Sequence, residues 1–219
     1  MGHVGGRVLR ASAEDDIVKE KIIILRTMKW RESDILIHGI NPKGGRVHFL
    51  ARGGANSRRR FGGGVLEATH YVNAHYKVAS SRDDEAPLHF LQEAELIKGF
   101  TGLRDRLDRL ELALEMVALV AKVAQPGVED APELFDILGN GLFAAESTFH
   151  PEMLRLQFEA KLLYILGAHS GHSSHTALLQ PPLKEHARIN ISADELNQLR
   201  REIHNGMQRY LQGLAPLDL

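Results

Sequence analysis

The period of the apolar residues changes once along this 219-residue chain, near Gly99. Before that point they run or alternate as strands do. Within Arg46–Arg52, Val47, Phe49 and Ala51 fall on one side, and Arg46, His48, Leu50 and Arg52 on the other. Thr69–Val78 sets Tyr71, Asn73, His75 and Lys77 opposite Val72, Ala74, Tyr76 and Val78. Ile22–Leu25, within Lys21–Thr27, is a short β-branched run suited to a strand covered on both faces. Ile35–Ile40 is another strand, and Leu88–Ile97 a fifth, although Phe90–Leu96 also fits a helix. Asn41-Pro42-Lys43-Gly44-Gly45 supplies turn chemistry, and Ser80–Glu85 is a polar loop. Short strands at this density, with no long helix among them, fit a small barrel or sandwich.

After Gly99 the period is helical. Leu103, Leu107, Leu110, Leu114 and Val117 make one stripe and Leu112, Met116, Leu119 and Val123 a second, so this helix is expected to be buried on two sides. Gln125-Pro126-Gly127 ends it, and Asp130-Ala131-Pro132-Glu133 opens the next with a cap, an early proline and an acid. Pro151 opens a third, with Leu154, Phe158, Leu162 and Ile165 inward, and Gly167 closes it. Ser192–Glu195 is a capping box for a last helix carrying Leu196, Leu199, Ile203, Met207 and Tyr210. The fold class is α+β: a β domain over residues 16–98, a helical domain over 99–219, and a loose tail over 1–15.

Charge divides at the same place. Lys21–Lys77 holds eleven Lys/Arg against three acids, whereas Leu88–Leu219 holds twelve against eighteen. Such asymmetry points the first half at a polyanion, or at an acidic protein. No cysteine is present, which excludes disulfides, thiolate catalysis and Cys-ligated metals. No apolar run is long enough to span a membrane, and the first residues lack the apolar core of a secretory signal, so the cytoplasm is the expected location.

Arg58, Arg59 and Arg60 sit between Gly53-Gly54 and Gly62-Gly63-Gly64. This is not a P-loop, because no Lys-Ser or Lys-Thr follows the glycines. A basic loop freed by glycines could instead clamp a nucleic-acid backbone, while flat side chains on neighbouring strands stack on bases. The candidate DNA-binding residues are Arg26, Lys29, Arg31, Lys43, Arg46, Arg52, Arg58, Arg59, Arg60, Tyr71 and Lys77. Tyr71 and the lone tryptophan, Trp30, fit core positions as well as stacking ones. Glu32 and Asp34 read as loop-fixing carboxylates, since nothing nearby resembles a pocket with a nucleophile. A five-stranded Greek-key barrel of this kind is an OB-fold.

ILRTMKWRESD (24–34), Gly45, and LARGGANSRRRFGGGVLE (50–67) together resemble the N-terminal domain of the RecO family of bacterial recombination mediators. FEAKLLYILG (158–167) resembles the family's central helix with its Leu-Gly step, and RYLQGLAPL (209–217) its C-terminal segment. The resemblance implies an OB-fold followed by a helical domain, and no enzymatic activity. It implies binding of single-stranded DNA, annealing of complementary strands, and assistance to recombinase loading. The implied partners are the single-stranded DNA-binding protein, through its acidic C-terminal tail, and RecR. On the third helix, Leu154, Arg155, Phe158 and Lys161 are the candidate tail-binding residues. Many family members carry a four-cysteine zinc module after the Leu-Gly step, but here residues 168–190 contain no cysteine. No cofactor or metal is therefore expected, although His169, His172, His175 and His186 have zinc-like spacing. Two other readings fit the same residues, an RNA-binding OB module and an adaptor whose basic face binds an acidic protein.

Overall fold

The computed structural model describes residues 17–79, 87–125, 130–168 and 175–214. The expected tail over 1–15, the polar loop Ser80–Glu85, His169, His172 and the end of the RYLQGLAPL segment lie outside them. Five strands, β1 (Ile17–Trp30), β2 (Asp34–Ile40), β3 (Arg46–Ala51), β4 (Tyr71–Lys77) and β5 (Leu88–Lys98), close into a barrel in the order β1-β2-β3-β5-β4. All pairs are antiparallel except β3–β5. This is the OB-fold.

β1 runs well beyond the expected Lys21–Thr27 because it is shared. Its first half pairs with β4 and its second with β2, with a register shift between Ile24 and Arg26. Alternation along the strand lets consecutive apolar residues serve two cores. Ile22 and Ile24 join Ile37, Phe49, Val72 and Leu91 inside the barrel. Ile23, Leu25 and Ile40 join the helical core instead. The alternation expected in β3 and β4 holds, and β5 is a strand rather than a helix. Thr69 lies before β4 with a φ of 77°.

A single helical turn, α1 (Arg58–Phe61), follows β3. The second half is a helical bundle: α2 (Leu107–Val123), α3 (Pro132–Ala145), α4 (Pro151–Ile165), the single turn α5 (Thr176–Leu179) and α6 (Ala193–Gln212). α4 and α6 follow their expected faces, and Glu195 N donates to the Ser192 hydroxyl at the α6 cap. Two details differ. Asp130 does not cap α3, whose start at Ala131 has no side-chain cap. On α2 the buried stripe is Leu112, Ala113, Met116, Val117, Val120 and Val123, while Leu107 and Leu114 are exposed. A broad apolar face on one helix does not say how much of it a neighbour covers.

Barrel and bundle are fastened at the β2–β3 turn. Ala131 N donates to the Lys43 carbonyl and Arg46 N to the Gln125 carbonyl, each at 3.1 Å. Gly44, at φ 84°, packs so closely that a Cβ there would lie 1.9 Å from the Ala131 oxygen. Lys98 bridges to Glu146 at 2.8 Å on another side.

Candidate nucleic-acid interface

Strand register sorts the outer surface of the barrel into rows, because directly paired residues share a face. One row is Arg26, His38, His48 and Leu88; the next is Met28, Leu36, Leu50 and Phe90. Trp30 and Asp34 follow at the tip of the β1–β2 hairpin. Each row crosses β1, β2, β3 and β5, so the surface is continuous. Apart from exposed Arg26, Leu88 and Trp30, its members are half-buried, with flat or apolar side chains. Trp30 is 50% exposed.

The imidazoles in this surface are held neutral. His38 and His48 rings lie 4.4 Å apart. Burial, then His38, Arg46 and His89, depress His48 from 6.5 to about 4. His38 is lowered by burial and then by Arg46 and Arg26; His89, which packs inside the barrel against Phe49 and Tyr76 rather than in this surface, is lowered by burial. At neutral pH the row therefore presents uncharged rings beside exposed guanidinium groups.

Two loops meet at one edge of the surface. The Asp34 carboxylate accepts from Gly53 N at 2.8 Å, and Ala55 N donates to the Ser33 carbonyl. Asp34 thus fixes a loop, through a backbone amide rather than an ion pair. This latch sets Trp30, Arg31 and Glu32 of the first hairpin beside Arg52 and the arginine triplet. The triplet lies on α1, which buried Phe61 anchors. The flanking glycines supply left-handed backbone, at φ 61° for Gly53, 69° for Gly63 and 71° for Gly64. The three arginines are not equivalent. Arg58 and Arg59 are exposed. Arg60 is half-buried, its Nε donating to the Ser57 hydroxyl at 3.1 Å and a terminal nitrogen to the Arg52 carbonyl at 2.7 Å.

The remaining candidates divide by position. Arg26, Lys29, Arg31 and Arg52 are exposed on or beside the open surface, and Lys77 pairs with Phe90 at its edge. Arg46 is drawn away, donating to the Ala121 carbonyl under the helices. Tyr71 is likewise withdrawn, packing edge-on against Phe135 of α3. Lys43 is exposed in the fastened turn, at the opposite end of β2 from the arginine loop. The neighbouring β4 face carries acids, with His75 3.8 Å from Glu93 and Asn73 donating to Glu95, so it does not continue the basic surface. The sequence does not single out Phe90, Leu50, Leu36 and Met28 as contact residues, although alternation places Leu50 on the outward face of its strand. Phe90 lies in the expected strand Leu88–Ile97, but its partners in register appear only once the barrel order is known.

In the helical half, Leu154 and Phe158 are fully buried and cannot meet a partner. A stripe at helical spacing served the core, as such stripes most often do. Arg155 is tied to Glu115 at 2.8 Å. Lys161, held by the Leu179 carbonyl, borders a cavity of about 810 Å³ that Ile137, Phe143, Tyr164, Leu179 and Lys184 also line. His175 contacts Glu202 at 3.0 Å, and His186 bonds to Thr148 and to the Leu183 carbonyl. The described residues contain no group of three metal-ligating side chains. Nor do they contain a helix long and apolar enough to cross a membrane.

A closed five-stranded barrel with a ring-lined, cation-edged outer surface, fastened to a helical bundle, defines an OB-fold protein with a helical second half. Residues 16–100 match the family model for the recombination protein O N-terminal domain. The chain is 32% identical over 149 residues to DNA repair protein RecO of Pelobacter propionicus, covering 68% of this chain and 58% of that one. It is 29% identical over 148 residues to DNA repair protein RecO of Maridesulfovibrio salexigens, with the same coverage. Against the RecO of Anaeromyxobacter dehalogenans the identity is 34% over 126 residues, covering 56% and 46%. The chain thus carries a RecO N-terminal domain and is homologous to RecO proteins, and it spans somewhat over half the length of the first two relatives.

Proposed function

We propose that this chain acts in DNA repair and recombination as a non-catalytic mediator that binds single-stranded DNA on the β1-β2-β3-β5 surface. The observation that carries the reading is the rows themselves. Four apolar or aromatic side chains lie in register across the barrel, beside neutral imidazoles, with exposed cations along the edge. Bases of a single strand have π-faces to stack on such a row, and the phosphates face the cations. Duplex DNA keeps its bases stacked on one another and gains only the electrostatic part. Binding two complementary strands without sequence readout would favour their annealing and, on coated DNA, recombinase loading.

The helical cavity supports a second contact. An acidic protein tail ending in an apolar residue and a carboxylate needs an apolar pocket with a cation at its lip. Phe143 and Tyr164 are 53% and 63% exposed beside that cavity, and Lys161 and Lys184 border it together with Glu133 and Asp136. We assign the tail of the single-stranded DNA-binding protein to this cavity rather than to Leu154, Arg155 and Phe158. RecR as a further partner rests on the family resemblance alone.

Anisotropy of a labelled oligothymidylate over a salt series tests the reading, together with annealing of complementary strands, bare and coated. Log affinity should fall with log salt by about 0.7 per phosphate contact. Affinity indifferent to salt overturns it, and a marked preference for an oligouridylate transfers the surface to RNA.

A further inference from the structure

At the edge of the proposed DNA surface lies a concavity of about 290 Å³, lined by Leu50, Arg52, Arg60, Lys77, Phe90, Leu91 and Gln92. Three of these residues are cations and none is a carboxylate. The Arg52 guanidinium covers the Phe90 ring, with its centre 4.6 Å from the ring centroid. Arg60 is fixed by Ser57, by the Arg52 carbonyl and by the Phe61 ring at 5.0 Å. None of these three contacts neutralises its charge, and they leave other guanidinium N–H groups for a ligand. A guanidinium already held in place loses little further freedom when it binds a phosphate.

Resting on the single-strand reading above, we propose that Arg52 and Arg60 form a fixed seat for one phosphate group of the bound strand, with Lys77 on its lining. Arg60 is the positioning cation of that seat, held against α1 before DNA arrives. Arg58 and Arg59, exposed on the same turn, meet the backbone electrostatically at no fixed place. The arginine triplet then has two roles: one side chain sets where the strand lies, and two raise its attraction to any strand. The phosphate could be an internal diester or the monoester at a chain end. Both present the oxygens that a guanidinium fork and an ammonium group bind.

A charge-neutral methylphosphonate placed in turn at each linkage of a short oligothymidylate tests the seat on the full chain. Oligomers with and without a terminal 5′ or 3′ phosphate are measured beside them. With wild-type protein, one position should dominate and lose about tenfold in affinity, as a charge-assisted hydrogen bond of ordinary strength predicts. Dominance of an internal linkage assigns the seat to a diester, and a gain with one terminal phosphate assigns it to a chain end. In Arg60→Lys, and independently in Arg52→Ala, the dominant position should fade towards the others while binding persists. Equal losses at every linkage in a wild-type protein that binds DNA overturn the seat and leave the single-strand reading standing. Absence of DNA binding removes that reading itself.

Discussion

Gly44 offers the most direct handle on how the two halves are fastened. An alanine there must adopt φ near 84°, which costs an L-residue about 1–2 kcal/mol. The greater cost is steric. The new Cβ would meet the Ala131 oxygen at 1.9 Å and the Ala131 carbonyl carbon at 2.3 Å, and backbone atoms cannot swing aside as a side chain can. Relief requires the β2–β3 turn to part from the start of α3. That loses the bond from Ala131 N to the Lys43 carbonyl and strains the one from Arg46 N to Gln125. Each such bond is worth about 1 kcal/mol, so the whole effect should be about 3–4 kcal/mol. Gly63 is the control, since it has φ 69° but no atom within 4 Å of where a Cβ would lie. Gly63→Ala should lose only the conformational part, about 1–2 kcal/mol. Urea unfolding of both variants, followed by circular dichroism and Trp30 emission, gives the difference. If Gly44→Ala falls within about 1 kcal/mol of Gly63→Ala, the tight junction between turn and helix is not as described.

Four further outcomes follow from the site. Because His48 is depressed to about 4, the unfolded chain takes up a proton between about pH 6.5 and 4 that the folded chain refuses. Stability should therefore be full above pH 6.5 and fall as the pH drops through that window. The loss from His48 is about 1–2 kcal/mol after discounting for its partial exposure, and His48→Gln should flatten the slope in urea titrations at pH 7.5 and 5. Asp34→Ala should cost about 1–2 kcal/mol in the same assay by releasing Gly53 N, and should weaken oligothymidylate binding because Arg52 is no longer held beside the first hairpin. Arg58→Ala with Arg59→Ala should lower the salt slope of DNA binding by about 1.4 while leaving the melting temperature nearly unchanged, as measured by anisotropy and thermal scans. Lys184→Ala should weaken binding of an acidic tail peptide several-fold by calorimetry, and affinity equal to wild type would move the tail away from the cavity.

The strand and helix halves were legible because period survives in each: β3 and β4 alternate, and Leu154, Phe158 and Leu162 recur at helical spacing. What period could not convey was which neighbour lies against each face. Tyr71 and Arg46 share the alternation of outward residues, yet that end of the barrel is covered by the helices. Leu107 and Leu114 continue an apolar stripe, and both stay exposed. The basic loop was readable as composition, but its internal order was not. Arg60 differs from Arg58 and Arg59 only through the Ser57 hydroxyl and Arg52 carbonyl, which the single turn of α1 brings within reach. The row through Phe90 needed the barrel closed before Met28, Leu36 and Leu50 could be seen to line up with it.

Trp30 is the only tryptophan of the chain and stands half exposed at the end of those rows. Its emission is therefore a built-in reporter for the central claim that a single strand lies across β1, β2, β3 and β5. Titration with an oligothymidylate, read simultaneously by Trp30 emission and by anisotropy of the labelled strand, should give saturable quenching with the same midpoint in both signals. Phe90→Ala should shift both midpoints to weaker binding, since it removes an apolar member of the row and the ring on which the Arg52 guanidinium rests. A strand that binds by anisotropy while Trp30 emission stays constant and Phe90→Ala leaves affinity unchanged would contradict the account.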